Sequence, residues 1–103
     1  MISQIVKELI LEASEMFGAE PAKVKTWNRT PHTVRARWYV WLKLRERKWS
    51  YPRIAEIFNV NHTSVMYGVK RIAEEIENSE SDFYMLQAIY EIKKENFEER
   101  VQP

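Results

Sequence analysis

The sequence predicts an all-α fold: a single compact domain over residues 1–103, of about six helices, that contains a helix-turn-helix. Three observations predict it. Apolar residues recur at intervals of three and four along most of the chain, Ser, Thr or Asn caps punctuate it (two with a proline close behind), and nothing reads as a strand. With 103 residues, 45% apolar and 13% aromatic, the chain can bury one real core and little more.

The elements follow in order. Ser3 is a candidate N-cap, and Ile5, Val6, Leu9, Ile10, Ala13, Met16 and Phe17 fall on helical spacing behind it. Gly18 stands where a left-handed residue closes a helix. Pro21 suits the first position of a short second helix through Lys25, because its missing N–H has no intrahelical partner there. Residues 27–30 then read as a basic loop. Thr30 and Pro31 repeat the cap-then-proline signal, and the third helix is expected to turn Val34, Trp38, Trp41, Leu42 and Arg45 inward with Arg35, Arg37 and Lys43 on the other face. Ser50 with Pro52 opens a fourth helix through Phe58. Asn61 opens a fifth, with Val65, Val69, Ile72 and Ile76 on its inner side. Ser81 opens the last, with Phe83, Leu86, Ile89, Tyr90 and Phe97 inside and Glu91, Glu95, Glu98 and Glu99 outside.

Composition excludes several chemistries. The chain has no Cys and two separated histidines, His32 and His62, so disulfides and a metal centre are not expected. Two glycines cannot build a phosphate-cradling loop, and neither nucleotide nor any other cofactor is expected. No apolar run approaches the ~18 residues that span a bilayer, and the start, Met-Ile-Ser-Gln, lacks a basic flank and a cleavage signal, so a cytoplasmic, nucleoid-associated protein is expected. The acidic residues of the last helix look solvated, and an enzyme is not expected. The net charge of +1 conceals an uneven distribution: −3 over residues 1–22, +9 over 23–53 and −5 over 54–103. An electropositive middle third suits one face turned to phosphate. A chance cluster of solvated charges is the plainer alternative.

Residues 50–72, SYPRIAEIFNVNHTSVMYGVKRI, carry the helix-turn-helix pattern, within a hairpin extending over 50–78. Ala55 allows a close helix crossing, Asn59 tolerates a left-handed backbone at the turn, and Val60 with Val65 fills the space between the helices. Asn61, His62, Thr63 and Ser64 then put short hydrogen-bonding groups where a recognition helix meets base edges. Periodicity alone also fits a hairpin that only packs. Of the tryptophans, Trp38 and Trp41 fall on the inner face and read as core, whereas Trp49 stays between core and base stacking.

The run NHTSVMYGVKRI resembles the Asp-His-Thr-Thr-Val hallmark of the C-terminal DNA-binding domain of the bacterial replication initiator family DnaA, a Trp-repressor-like helix-turn-helix. SYPRIAEIF is similar to the Ser-Leu-Pro-x-Ile-Gly segment before that hallmark, RTPHTVRARWYVWL to the family's basic loop and long helix, and residues 2–25 to its leading helices. The resemblance implies sequence-specific binding of double-stranded DNA. His62, Thr63 and Ser64 match base-reading positions, Arg29 is the counterpart of the loop arginine that enters the minor groove, and Arg37, Lys70 and Arg71 match basic positions that touch DNA. Lys43, Pro52 and Arg53 complete the candidate contact set. Asn61 stands where the family has Asp, exchanging an acceptor-only carboxylate for an amide that donates and accepts and can pair with adenine. Tyr51 and Arg53 also depart from the family, and the turn is one residue shorter.

No nucleotide-binding module accompanies the domain, so the expectation is a stand-alone replication or transcription accessory, bacterial or phage, and monomeric by default. Two other readings remain open: a protein-interaction module that engages a replication or transcription factor through its aromatic, acidic last helix, and a sigma-factor-like promoter reader.

Overall fold

The structure, a computed structural model, describes residues 3–26, 28–79 and Gln87. Trp27 and the helix expected from Ser81 onward lie outside these, Gln87 excepted. Five helices form among the described residues, and no strand does: α1 (Gln4–Phe17), α2 (Pro21–Val24), α3 (Pro31–Glu46), α4 (Tyr51–Phe58) and α5 (His62–Asn78).

The ends of these helices follow from local chemistry. Ser3 is extended, and its hydroxyl accepts the Val6 N–H at 3.3 Å; Gly18, at φ 68°, donates its N–H to the Ser14 carbonyl. Ser50 repeats the first device, accepting from Arg53 N at 3.2 Å. Thr30 caps α3 by backbone conformation alone, with no bond from its hydroxyl. α2 ends at Val24, one residue earlier than the sequence suggests, with Lys25 as its cap. Asn59 adopts the left-handed conformation, φ 53°, that the turn before α5 requires.

α3 is the centre of the molecule. It packs against α1 on one side and α5 on another, and the backbones of α1 and α5 do not come close to each other. This double burial corrects the expected inner face. Thr33, Ala36, Tyr39, Val40, Trp41 and Leu44 are the buried residues of α3, whereas Val34, Trp38, Leu42 and Arg45 are only half-buried. A helix covered on two sides spreads its apolar residues over two stripes, and the sequence reading found only the one toward α5. On the α1 side, Tyr39 sits 5.7 Å from the Phe17 ring, and its hydroxyl lies 3.3 Å from Glu12 Oε1 and accepts from Gln87 Nε2 at 3.0 Å. Burial and the neighbouring Glu12 carboxylate raise the Tyr39 pKa despite the opposing Gln87 contact, so the phenol stays protonated.

Val6, Leu9, Ile10 and Ala13 from α1, Val24 from α2, Ile54 and Phe58 from α4, and Val65 and Ile72 from α5 close the core around α3. Trp49, at 9% exposure, belongs to that core, which decides between its two sequence readings. It seals the joint between α3 and α4, where Arg53 stacks on its ring at 3.8 Å and Arg45 donates to its carbonyl at 2.8 Å. Arg45 also lies 4.2 Å from the Tyr51 ring centre. Lys48, at φ 67°, makes the tight reversal that leads into this joint.

Candidate nucleic-acid interface

α4, a three-residue joint and α5 form the helix-turn-helix. Val60 donates its N–H to the Ala55 carbonyl at 3.0 Å across the left-handed Asn59, and Ala55 and Val65 are buried where α4 and α5 cross. The hairpin is fixed to α3 by Gly68. A Cβ at that position would fall 2.3 Å from Trp38 Cδ1 and 2.8 Å from both Trp38 Nε1 and Trp41 Cε3, so only glycine lets the two indoles lie on the helix backbone. Trp38 continues outward to an edge-on contact with Tyr67 at 5.9 Å. This packing sets the depth and rotation of α5.

The start of α5 is open to solvent. Asn61, His62, Thr63 and Ser64 are all exposed, and Asn61 caps the helix, its Oδ1 accepting from Thr63 N at 3.0 Å and from Thr63 Oγ1 at 3.0 Å. One turn further, Met66 and Tyr67 are 46% and 59% exposed, and Lys70 and Arg71 follow on the surface. Sequence reasoning passed over Met66 and Tyr67. The signal was present, since both are out of phase with Val65, Val69, Ile72 and Ile76, and an apolar residue out of phase with the buried stripe must face outward.

The basic loop is folded against this surface by Arg37. Its Nε donates to the Val24 carbonyl at 2.7 Å, and its Nη2 donates to the carbonyls of Thr26 and, at 3.0 Å, Asn28. Partial burial lowers the Arg37 pKa without threatening its charge. Arg37 therefore shapes the loop through Nε and Nη2, and it also lines the concavity beside the start of α5. Asn28 Oδ1 accepts from Thr30 N at 2.9 Å and shapes the last bend before α3. Two concavities result. One, about 350 Å³, lies between the loop and the start of α5 and is lined by Lys25, Thr26, Thr63, Ser64 and Tyr67 above the Trp38 and Trp41 rings. The other brings Arg29 beside Arg35 and Arg71, with Glu75 paired to Arg35 at 3.1 Å.

Several cations of the electropositive third are engaged elsewhere. Lys43 pairs with Glu46 at 3.4 Å and lies 5.3 Å from the Tyr39 ring on the side of α3 that meets α1, so the structure does not bring it to the recognition helix. The sequence reading grouped it with Arg35 and Arg37 on one face of α3. Arg53 is held on Trp49, and exposed Pro52 stands beside it at the end of α4 remote from the turn. His32 is exposed at the start of α3. Lys25 lies 6.0 Å from the Phe58 ring centre and lines the first concavity, a position that sequence reading did not single out. Among the described residues there is no group of acidic, His or Cys side chains able to hold a metal, and no helix long and apolar enough to cross a membrane.

Comparison with known proteins agrees with this geometry. The DnaA initiators of two strains of Chloroflexus aurantiacus, J-10-fl and Y-400-fl, each named chromosomal replication initiator protein, are 40% identical over 83 residues, covering 76% of this chain and 17% of the relative. The DnaA protein of Chloroflexus aggregans is 39% identical over 78 residues, 71% of this chain and 16% of its own. The chain thus spans about a sixth of the length of these relatives. No solved structure matches it significantly. A family model described as the bacterial DnaA protein helix-turn-helix matches residues 6–72, from the first buried residue of α1 to the last of α5. With that match added to the hairpin and its exposed polar start, the chain belongs to the bacterial DnaA helix-turn-helix family.

Proposed function

We propose that the chain reads a short duplex DNA site, with α5 in the major groove and the basic loop at the adjacent minor groove. The observation that carries this reading is the exposed start of α5, where Asn61, His62, Thr63 and Ser64 present short polar groups beside a loop that Arg37 holds in place. Asn61, His62 and Thr63 face base edges, with Met66 and Tyr67 supplying apolar contact beside them. Arg29 reaches the minor groove, and Lys25, Lys70 and Arg71 take phosphates. Arg37 positions the loop. Lys43, Pro52 and Arg53 take no part in base reading. The proposed setting is control of replication or of transcription, because the relatives are named replication initiators. The rest of those relatives' activity is not assigned to the residues described.

Fluorescence anisotropy against a selected duplex and its scrambled control, at two salt concentrations, tests the reading. The four cations predict that log Kd changes with log salt with a slope of about 3 to 4, and the preference for the selected duplex should persist as salt rises. Binding that is equal on both duplexes removes the base-reading role. No binding at low salt removes DNA altogether and favours a protein partner.

A further inference from the structure

We infer that Asn61 reads its base pair as a hydrogen-bond donor only, so that the base it faces is guanine or thymine and not cytosine. The inference rests on the proposed placement of α5 in the major groove. Asn61 Oδ1 lies 3.0 Å from Thr63 N and 3.0 Å from Thr63 Oγ1. A backbone N–H can only donate, so the amide oxygen, not the nitrogen, must be the atom that faces it. The same oxygen has no proton to give, so the Thr63 hydroxyl donates to it as well. Both lone pairs of Oδ1 are then occupied. Among the described residues the Asn61 side chain makes no other hydrogen bond, and the residue is exposed, so the Nδ2 protons are what it offers a ligand.

This changes the expectation drawn from sequence. A free asparagine pairs with adenine through both its amide atoms, accepting from N6 while donating to N7. Asn61 cannot accept from N6 without giving up the contacts that cap α5. Guanine, with O6 and N7, and thymine, with O4, meet a donor without conflict; adenine offers N7 but sets its N6 donor beside it, and cytosine turns its own N4 donor toward the Asn61 donor, so guanine and thymine are favoured. Thr63 is fixed the other way: its proton is held by Asn61, and its oxygen keeps lone pairs for a base amino group. Successive groups at the helix start thus have opposite, predetermined polarity.

The test is selection of binding sites from a randomised duplex pool by the full chain and by Asn61→Asp. Aspartate caps a helix about as well as asparagine and favours its N-terminus electrostatically, so the variant keeps the fold, which an unchanged circular-dichroism melt verifies. It replaces the outward donor with an acceptor. The expected result is one position at which the natural chain selects G or T and Asn61→Asp selects C or A, each by about fivefold or more in direct competition. Identical selections by both proteins overturn the inference, as does C chosen by the natural chain at the position the variant alters; both leave duplex reading intact. No enriched sequence and no binding at low salt would remove duplex reading and this inference with it.

Discussion

Arg37 separates two accounts of the basic loop, and a charge-conserving substitution tells them apart. Its guanidinium spans three carbonyls, those of Val24, Thr26 and Asn28, in a fork that a lysine ammonium cannot reproduce. Hydrogen bonds from a charged donor contribute about 1.5–3 kcal/mol each when sheltered. Because Arg37 is only half-buried and water can reclaim the freed carbonyls, about 2 kcal/mol in total is a fair figure for loop closure. Without the clamp, DNA must order the loop at its own cost, so affinity for a selected duplex should fall by up to about 30-fold, the factor equivalent to 2 kcal/mol. Arg37→Ala and Arg37→Lys should both show most of this loss, and amide exchange of Thr30, bonded to the Asn28 side chain, should quicken in the free protein. If Arg37 were instead a phosphate contact, Arg37→Lys would bind as the natural chain does, while Arg37→Ala would lower the salt slope by about one with no change in the free protein. That pattern of anisotropy titrations would refute the clamp.

Three further outcomes follow from the same geometry. Gly68→Ala should lower stability by about 1–2 kcal/mol, because overpacking against Trp38 and Trp41 outweighs the roughly 1 kcal/mol that alanine gains in a helix; a raised melting temperature would contradict the contact. Lys48→Gly should stabilise by about 0.5–1 kcal/mol in denaturant titration, since glycine adopts φ 67° without strain and partly offsets this through the unfolded chain. His62→Ala should weaken binding to a selected duplex by roughly 1–3 kcal/mol while leaving binding to scrambled DNA and the thermal melt nearly unchanged; equal losses on both duplexes would show that His62 reads no base.

What was legible in the sequence was what acts within a few residues. Ser3, Ser50 and Gly18 announce helix ends because a cap bonds to its own next turn, and Asn59 announces a left-handed turn because few other residues tolerate one. The polar start of α5 could be read for the same reason. What was not legible depends on where distant residues meet. Arg37 reaches back nine to thirteen positions to its carbonyls, and nothing local distinguishes it from Arg35, which instead meets Glu75 on α5. Lys43 counts as a basic residue of the middle third but points toward α1. Gly68 was set aside with the argument that the chain lacks a phosphate loop, although a lone glycine inside a helix is itself a sign that another group lies against the backbone.

The separation of α1 from α5 by α3 has an evolutionary consequence. A substitution on α1 reaches α5 through α3, and reaches the basic loop through α2 as well, so small changes in α1 packing should be felt less at α5 than at the loop, and pairs of substitutions in α1 and α5 should have near-additive effects on folding free energy. Such a fold lets one side of the molecule drift, acquire new charge or adapt to a new neighbour while the surface at the start of α5 is left as it is.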